Sequence, residues 1–184
     1  DSDNHYSSAN DMSVIARELV KHKKILEFSG TYEDYLRKNT EKSFWLVNTN
    51  KLVRYYQGVD GLKTGYTKNA GHCITTTAKR SNMRLITVVM GEPSSAIRNS
   101  ETTEMLNYGF NTYEVSTLID EKVKLKKQKV LLGKKDSVEI VPLSSVKILN
   151  SKSSEKRNVR YQLEIGEIKA PVKVGDEVGK VLLI

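Results

Sequence analysis

Lys63, Thr64 and Gly65 stand side by side in Asp60-Gly61-Leu62-Lys63-Thr64-Gly65-Tyr66-Thr67, and their types suit one task. An ammonium can hold a carboxylate or tune a neighbouring serine, a hydroxyl adds a donor, and a residue without Cβ lets a second backbone come close. On a strand, such a run can receive an extended peptide as one more strand. The tripeptide alone is thin evidence, because a structural strand with a surface lysine carries the same letters.

The elements around it give it a setting. The run His72 to Ala78 is rich in threonine and the run Met83 to Met90 in apolar and β-branched residues, with Lys79-Arg80-Ser81-Asn82 suited to a hairpin loop between them. With the segment around Lys63 they predict three neighbouring antiparallel strands. Upstream, Ser8-Ala9-Asn10-Asp11 fits a capping box, and Met12, Ile15, Ala16, Leu19 and Val20 recur at helical spacing through about His22. Phe44-Trp45-Leu46-Val47 is apolar and Asn48-Thr49-Asn50 is rich in turn formers. Pro93 and Ser94 open a second helical stretch with Ile97, Met105, Leu106 and Tyr108 apolar, and Gly109 is placed to stop it. From about Val115 the pattern changes to short alternating runs, Val130 to Leu132, Val138 to Val141, Val146 to Leu149 and Val159 to Ile165, which read as a small all-β module.

Composition narrows the chemistry. A chain of 184 residues with 38% hydrophobic content can bury one good core or two small ones. No run of about 18 apolar residues occurs, and the start Asp1-Ser2-Asp3-Asn4 is polar and acidic, so neither a membrane span nor a signal peptide is expected within the chain. Cys73 is the only cysteine, and His5, His22 and His72 lack ligand spacing, so no disulfide framework, metal or cofactor is expected. The net charge of +8 is concentrated in Glu121 to Lys129, where lysines alternate with Val123 and Leu125 as on a strand with one wet face, so no nucleic-acid partner is inferred. A phosphate-binding loop would need glycine directly before Lys63 and another five residues earlier; Leu62 and Gln57 stand there instead.

More than the tripeptide carries a family likeness. His5-Tyr6-Ser7-Ser8-Ala9-Asn10-Asp11-Met12, Gly58-Val59-Asp60-Gly61-Leu62-Lys63-Thr64-Gly65-Tyr66-Thr67, Ala70-Gly71-His72-Cys73 and Val89-Met90-Gly91, in that order, resemble the serine-type D-alanyl-D-alanine carboxypeptidases, the low-molecular-mass penicillin-binding proteins. The resemblance covers essentially the whole chain. It implies an α+β fold: a partial β-lactamase/transpeptidase-like domain of antiparallel strands with flanking helices over residues 1–113, then a small all-β domain over residues 114–184. Lys-Thr-Gly is the third of the three motifs such enzymes use. By the resemblance Lys63 orients substrate and keeps the nucleophile reactive, Thr64 binds the terminal carboxylate, Gly65 completes the motif, and the amide of Tyr66 is one oxyanion-hole donor. Arg98 falls where the family has an arginine that reaches the same carboxylate, so Lys63 and Arg98 are expected on one side of the sheet.

The departures matter as much. The family's nucleophile motif and its Ser-x-Asn motif lie N-terminal to the region where this chain begins. Ser144-Ser145-Val146-Lys147 and Ser153-Ser154-Glu155-Lys156 spell Ser-x-x-Lys but follow Lys63, and Ser8-Ala9-Asn10 imitates Ser-x-Asn inside a helix start, so all three are set aside. Cys73 is read as a small strand thiol and not as a substitute nucleophile. The implied partners are a peptidoglycan stem peptide ending in D-Ala-D-Ala and β-lactam antibiotics, met outside the cytoplasm, and the chain alone is expected to be inactive. The family's anchoring C-terminal amphipathic helix is not expected before Ile184. A class A β-lactamase-like hydrolase shares Lys-Thr-Gly, but the residues beyond Tyr113 argue against it. A non-catalytic wall-binding module is the other alternative.

Overall fold

The computed structural model describes residues 4–154 and 159–184. The chain divides into two compact units, residues 1–112 and 113–184. In the first unit, helix α1 (Ala9–Leu19) starts as its sequence dictates. The Ser8 hydroxyl accepts from the Asp11 amide and the Asp11 carboxylate accepts from the Ser8 amide, each at 3.1 Å. Two donors that a helix start leaves without partners are thereby satisfied. Helix α2 (Lys23–Ser29), the hairpin of β1 (Glu33–Leu36) and β2 (Phe44–Val47), and the short helix α3 (Leu52–Tyr55) follow. The apolar segment Phe44-Trp45-Leu46 does not mark a core: both strands of its hairpin are largely exposed, and Trp45 keeps 56% of its surface.

The centre of this unit is an antiparallel sheet of β3 (Val59–Thr67), β4 (Gly71–Arg80) and β5 (Met83–Glu92), in the order β3-β4-β5. The three strands lie where the sequence put them, with the loop tightened to Ser81 and Asn82. Helix α4 (Ser95–Thr112) packs on β4 and β5, and α1 also lies on β5. A polar cross-link ties the start of β3 to the far strand: Arg84 donates to both oxygens of Asp60 at 2.7 Å and to the Thr77 hydroxyl at 2.8 Å.

Gly109 does not stop α4, which continues to Thr112. Leu85 Cδ1 lies 2.5 Å from where a Cβ on Gly109 would stand, so the missing side chain serves close approach of helix to sheet. That contact also identifies the faces. Leu85, Thr87 and Val89 on β5, with their cross-strand partners Ala78, Thr76 and Ile74, look toward α4. Thr76 and Thr87 stand opposite each other on this buried face, and neither hydroxyl has a hydrogen-bond partner among the described residues. An unsatisfied buried hydroxyl costs about 1–3 kcal/mol, and valine has the same shape without it. Thr87→Val is therefore expected to raise the unfolding free energy by about 1 kcal/mol in a denaturant titration, and a loss of stability would contradict this packing.

The second unit is all β apart from turns: β6 (Tyr113–Ile119) pairs with β9 (Val146–Ser151), β7 (Lys126–Leu131) lies between β8 (Ser137–Ile140) and β11 (Ile168–Lys169), and β10 (Tyr161–Ile165) pairs with β12 (Gly179–Leu183). Ile119, Val130, Pro142 and Ile168 are its buried residues among those described. The lysine-rich stretch is a strand only from Lys126, so the alternation through Val123 and Leu125 belongs to the turn and extended segment before β7. Ser144 to Lys147 leads into β9, where the Ser145 hydroxyl accepts from the Glu121 amide at 3.2 Å. Of Ser153-Ser154-Glu155-Lys156, the last two lie outside the described residues.

Candidate functional site

Strand β3 is an edge of its sheet, and the pattern of its ladder decides which backbone groups remain available. The Lys79 amide donates to the Gly58 carbonyl at 2.8 Å, so odd-numbered residues of β4 direct their backbone toward β3. Their partners Lys63, opposite Thr75, and Gly65, opposite Cys73, are then the bonded pairs. Thr64 and Tyr66 consequently aim their N–H and C=O groups outward, away from the sheet. The position of the Lys63 ammonium agrees, because its Nζ donates to the Thr64 carbonyl at 2.7 Å, along that outer edge.

Side chains alternate across the same four residues. Lys63 and Gly65 share one face; Thr64 and Tyr66 share the other, toward α4. The Thr64 hydroxyl is half-buried and donates to the Thr49 hydroxyl at 2.7 Å. Nothing lies within 4 Å of where a Cβ on Gly65 would stand, so the fold does not require glycine there. The Tyr66 ring, 63% exposed, stacks at 4.4 Å on the His72 ring opposite it.

Arg98 sits in the second turn of α4 and retains only 5% of its surface. Its Nε and Nη2 donate to the Asn99 side-chain oxygen at 3.2 and 2.9 Å, which orients the guanidinium without neutralising it. Among the described residues no carboxylate pairs with it. Burial holds its pKa below the usual arginine range, and attraction to the nearby Cys73 sulfur acts in the opposite sense. A cation taken from water without a counter-ion is costly unless an anion arrives. Cys73 itself donates its thiol to the Ala70 carbonyl at 3.4 Å.

The expectation that Lys63 and Arg98 lie on one side of the sheet needs correction. The stem of Lys63 leaves the strand on the face covered by α1, opposite the face that α4 covers. Because β3 is terminal, the two faces meet at its outer edge, and the ammonium bends to that edge. On the α1 side an apolar groove of about 280 Å³, walled by Met12, Ile15, Leu19, Val88 and Met90, runs beside Lys63 and Gly65. The arrangement is thus a strand edge with outward amides, a hydroxyl on the α4 face and an ammonium with an apolar groove on the α1 side, while Arg98 is buried on α4 near Cys73, the β4 partner of Gly65. Among the described residues no cluster of three or more metal-ligating side chains occurs.

Two supporting residues escaped the sequence reading. Asn50, fully buried, donates to the Gly61 carbonyl at 3.1 Å and accepts from the Leu52 amide at 3.2 Å. Asn48 donates to the carbonyls of Ser29 and Thr31, both at 2.9 Å, and accepts from the Asn50 amide at 2.9 Å. Together they clamp the loop bearing Thr49 against β3. The only signal was Asn48-Thr49-Asn50, which by itself says turn.

Comparison with known proteins adds a family and its limits. The family model described as D-alanyl-D-alanine carboxypeptidase matches residues 1–94, and that of the penicillin-binding protein 5 C-terminal domain matches residues 113–184. The chain is 44% identical over 180 residues to D-alanyl-D-alanine carboxypeptidase DacF of Bacillus subtilis, covering 97% of this chain and 46% of that protein. The crystal structure of penicillin binding protein 5 from Haemophilus influenzae superposes over 100% of this chain and 53% of its own, with a TM-score of 0.69 and 30% identity. Penicillin-Binding Protein D2 from Listeria monocytogenes, solved in a cefotaxime-bound form, gives a TM-score of 0.53 at 32% identity over 60% of this chain and 44% of its own. The chain spans about half the length of the relatives it matches.

Proposed function

The chain belongs to the D-alanyl-D-alanine carboxypeptidase family, and from that premise we propose that residues 1–113 form the part of a serine-type catalytic domain that grips the end of a peptidoglycan stem peptide, with residues 114–184 as its β-rich C-terminal domain. The terminal D-alanine carboxylate is held by Thr64 and Arg98. The Tyr66 amide is one donor of the oxyanion hole, and Gly65 leaves the strand edge clear for the peptide backbone. Lys63 orients the substrate and keeps the nucleophile reactive. The observation that carries this reading is Arg98: a buried guanidinium with no carboxylate partner among the described residues, close enough to feel Cys73, the β4 partner of Gly65.

The reaction of the complete enzyme is acyl transfer. A serine attacks the carbonyl between the two D-alanines, the terminal D-alanine leaves, and water releases the shortened peptide from the acyl-enzyme. Residues 1–62 contain no Ser-x-x-Lys, so the nucleophile comes from a segment other than this one. β-Lactams, whose carboxylate resembles that of the peptide, acylate the same serine; the cefotaxime-bound Listeria relative supports this. Such work is done outside the cytoplasm, secreted or at the outer face of the membrane. Among the described residues no helix is long and apolar enough to cross a bilayer, and membrane association through a further C-terminal helix is part of the proposal.

Amide chemical shifts of the isotopically labelled chain, followed while a short peptide ending in D-Ala-D-Ala is added, test the binding half. Saturable shifts are expected at Thr64, Tyr66 and the Arg98 side chain. A response confined to other surfaces contradicts the assignment. Under the same conditions a fluorescent penicillin is expected to leave no covalent label, and a label on this chain would mean that a nucleophile lies within it.

A further inference from the structure

The Thr49 hydroxyl is placed as a structural loop would not require. Asn48 and Asn50 make the hydrogen bonds that fasten the loop, four of them to groups outside it: the Ser29, Thr31 and Gly61 carbonyls and the Leu52 amide. Thr49 contributes none of these. Its side chain is exposed, and its hydroxyl oxygen accepts the Thr64 proton at 2.7 Å.

We propose that Thr49 is a positioning residue of the carboxylate site, acting through Thr64; the inference rests on the functional reading above. A hydroxyl has one proton to give. The Thr64 hydroxyl donates to Thr49, so its proton must turn before it can serve an incoming carboxylate. When it turns, the Thr64 oxygen loses its neighbour unless that neighbour donates in return. Thr49 has a proton of its own to do so. The pair then reverses: Thr49 donates to Thr64, and Thr64 donates to the anion. No bond other than hydrogen bonds changes and no charge moves. A chain of two donors aimed at a negative charge is stronger than one alone, because each bond polarises the next. The clamp formed by the two asparagines keeps the oxygens at bonding distance whichever way the protons point. The ligand implied is an anion with a carboxylate's geometry, and a neutral amide in its place gains nothing from the relay.

The test compares the chain with its Thr49→Val and Thr49→Ser variants. The ligands are a peptide ending in D-Ala-D-Ala and the same peptide with its C-terminus amidated, and binding is read from the Tyr66 amide shift. Thr49→Val is expected to weaken the free-acid peptide roughly threefold to tenfold, the scale of one hydrogen bond in a chain to a charged group. Thr49→Ser is expected to bind it as the parent does, and all three proteins to bind the amide alike. Thermal unfolding should be unchanged by either substitution, because the asparagine clamps are untouched. Parent-like binding of the acid by Thr49→Val overturns the proposal, as does equal weakening of acid and amide with no rescue by serine. Failure of the unsubstituted chain to bind the acid at all refutes the functional reading and this inference with it.

Discussion

Replacement of Arg98 by glutamine is expected to weaken binding of a D-Ala-D-Ala peptide about a hundredfold, corresponding to about 2.7 kcal/mol, within the range for a charge-assisted contact in a desolvated site. Glutamine keeps much of the length and one donor group, so the loss reports the charge. The guanidinium is almost wholly buried and is braced by Asn99, an uncharged partner. Its charge therefore has no function within the unit, and the fold should not suffer from its removal. Denaturant unfolding of Arg98→Gln is expected to show equal or greater stability, since a buried unpaired cation is a cost. Lysine should recover part of the affinity at most, because an ammonium lacks the planar fork that grips a carboxylate through two bonds. Binding within a factor of about two of the parent's, well below the worth of a single hydrogen bond to a charged group, would remove Arg98 from the site.

The second large effect belongs to Gly65. Gly65→Val is expected to abolish measurable peptide binding and to leave the unfolding temperature where it was. The two halves of this expectation have separate origins. A Cβ there would meet nothing within 4 Å, and a β-branched residue is at home in a strand, so the chain itself accepts the change. A ligand lying along β3 must pass close to this residue, and the added methyl groups stand in its path. Gly61, four residues earlier, provides the contrast: a Cβ at that position would collide with the Ser29 hydroxyl, so substitution there should damage the fold. Undiminished binding by Gly65→Val would show that the peptide takes another route.

Much of the site-bearing sheet was legible in the sequence because its signals are local. Threonine-rich and β-branched runs flanking a polar tetrapeptide specify a hairpin, and Ser8 with Asp11 specifies a helix start, without help from anything distant. Gly109 misled for the converse reason. A glycine near the end of an apolar helical pattern resembles a stop, and only the approach of Leu85 from another element reveals that it is a contact point. The hairpin of β1 and β2 was half seen: Phe44-Trp45-Leu46 drew notice for its hydrophobicity, whereas Glu33-Asp34-Tyr35-Leu36 has neither alternation nor apolar character enough to announce a strand.

Within the proposed site, Lys63, Thr64 and Gly65 stood out by residue type and Tyr66 and Arg98 by resemblance, but their arrangement was not legible. Residues adjacent in a strand must point to opposite faces, which rules out a pocket on one face that uses both Lys63 and Thr64. What unites them is that β3 has no neighbouring strand on its outer side among the described residues, a fact of topology that no spacing encodes. Thr49 was invisible for a related reason: fifteen residues separate it from Thr64, and the loop is brought there by the buried Asn50 amide reaching the Gly61 carbonyl.

The most direct test of the edge site is amide hydrogen exchange at Thr64 and Tyr66 in the presence and absence of the D-Ala-D-Ala peptide. With their N–H groups pointing away from the sheet, both should exchange rapidly in the free chain and slow markedly when the peptide is bound, while Lys63 and Gly65, already bonded to β4, change little. Protection of Thr64 and Tyr66 before any peptide is added, or exchange that the bound peptide does not slow, would contradict the account.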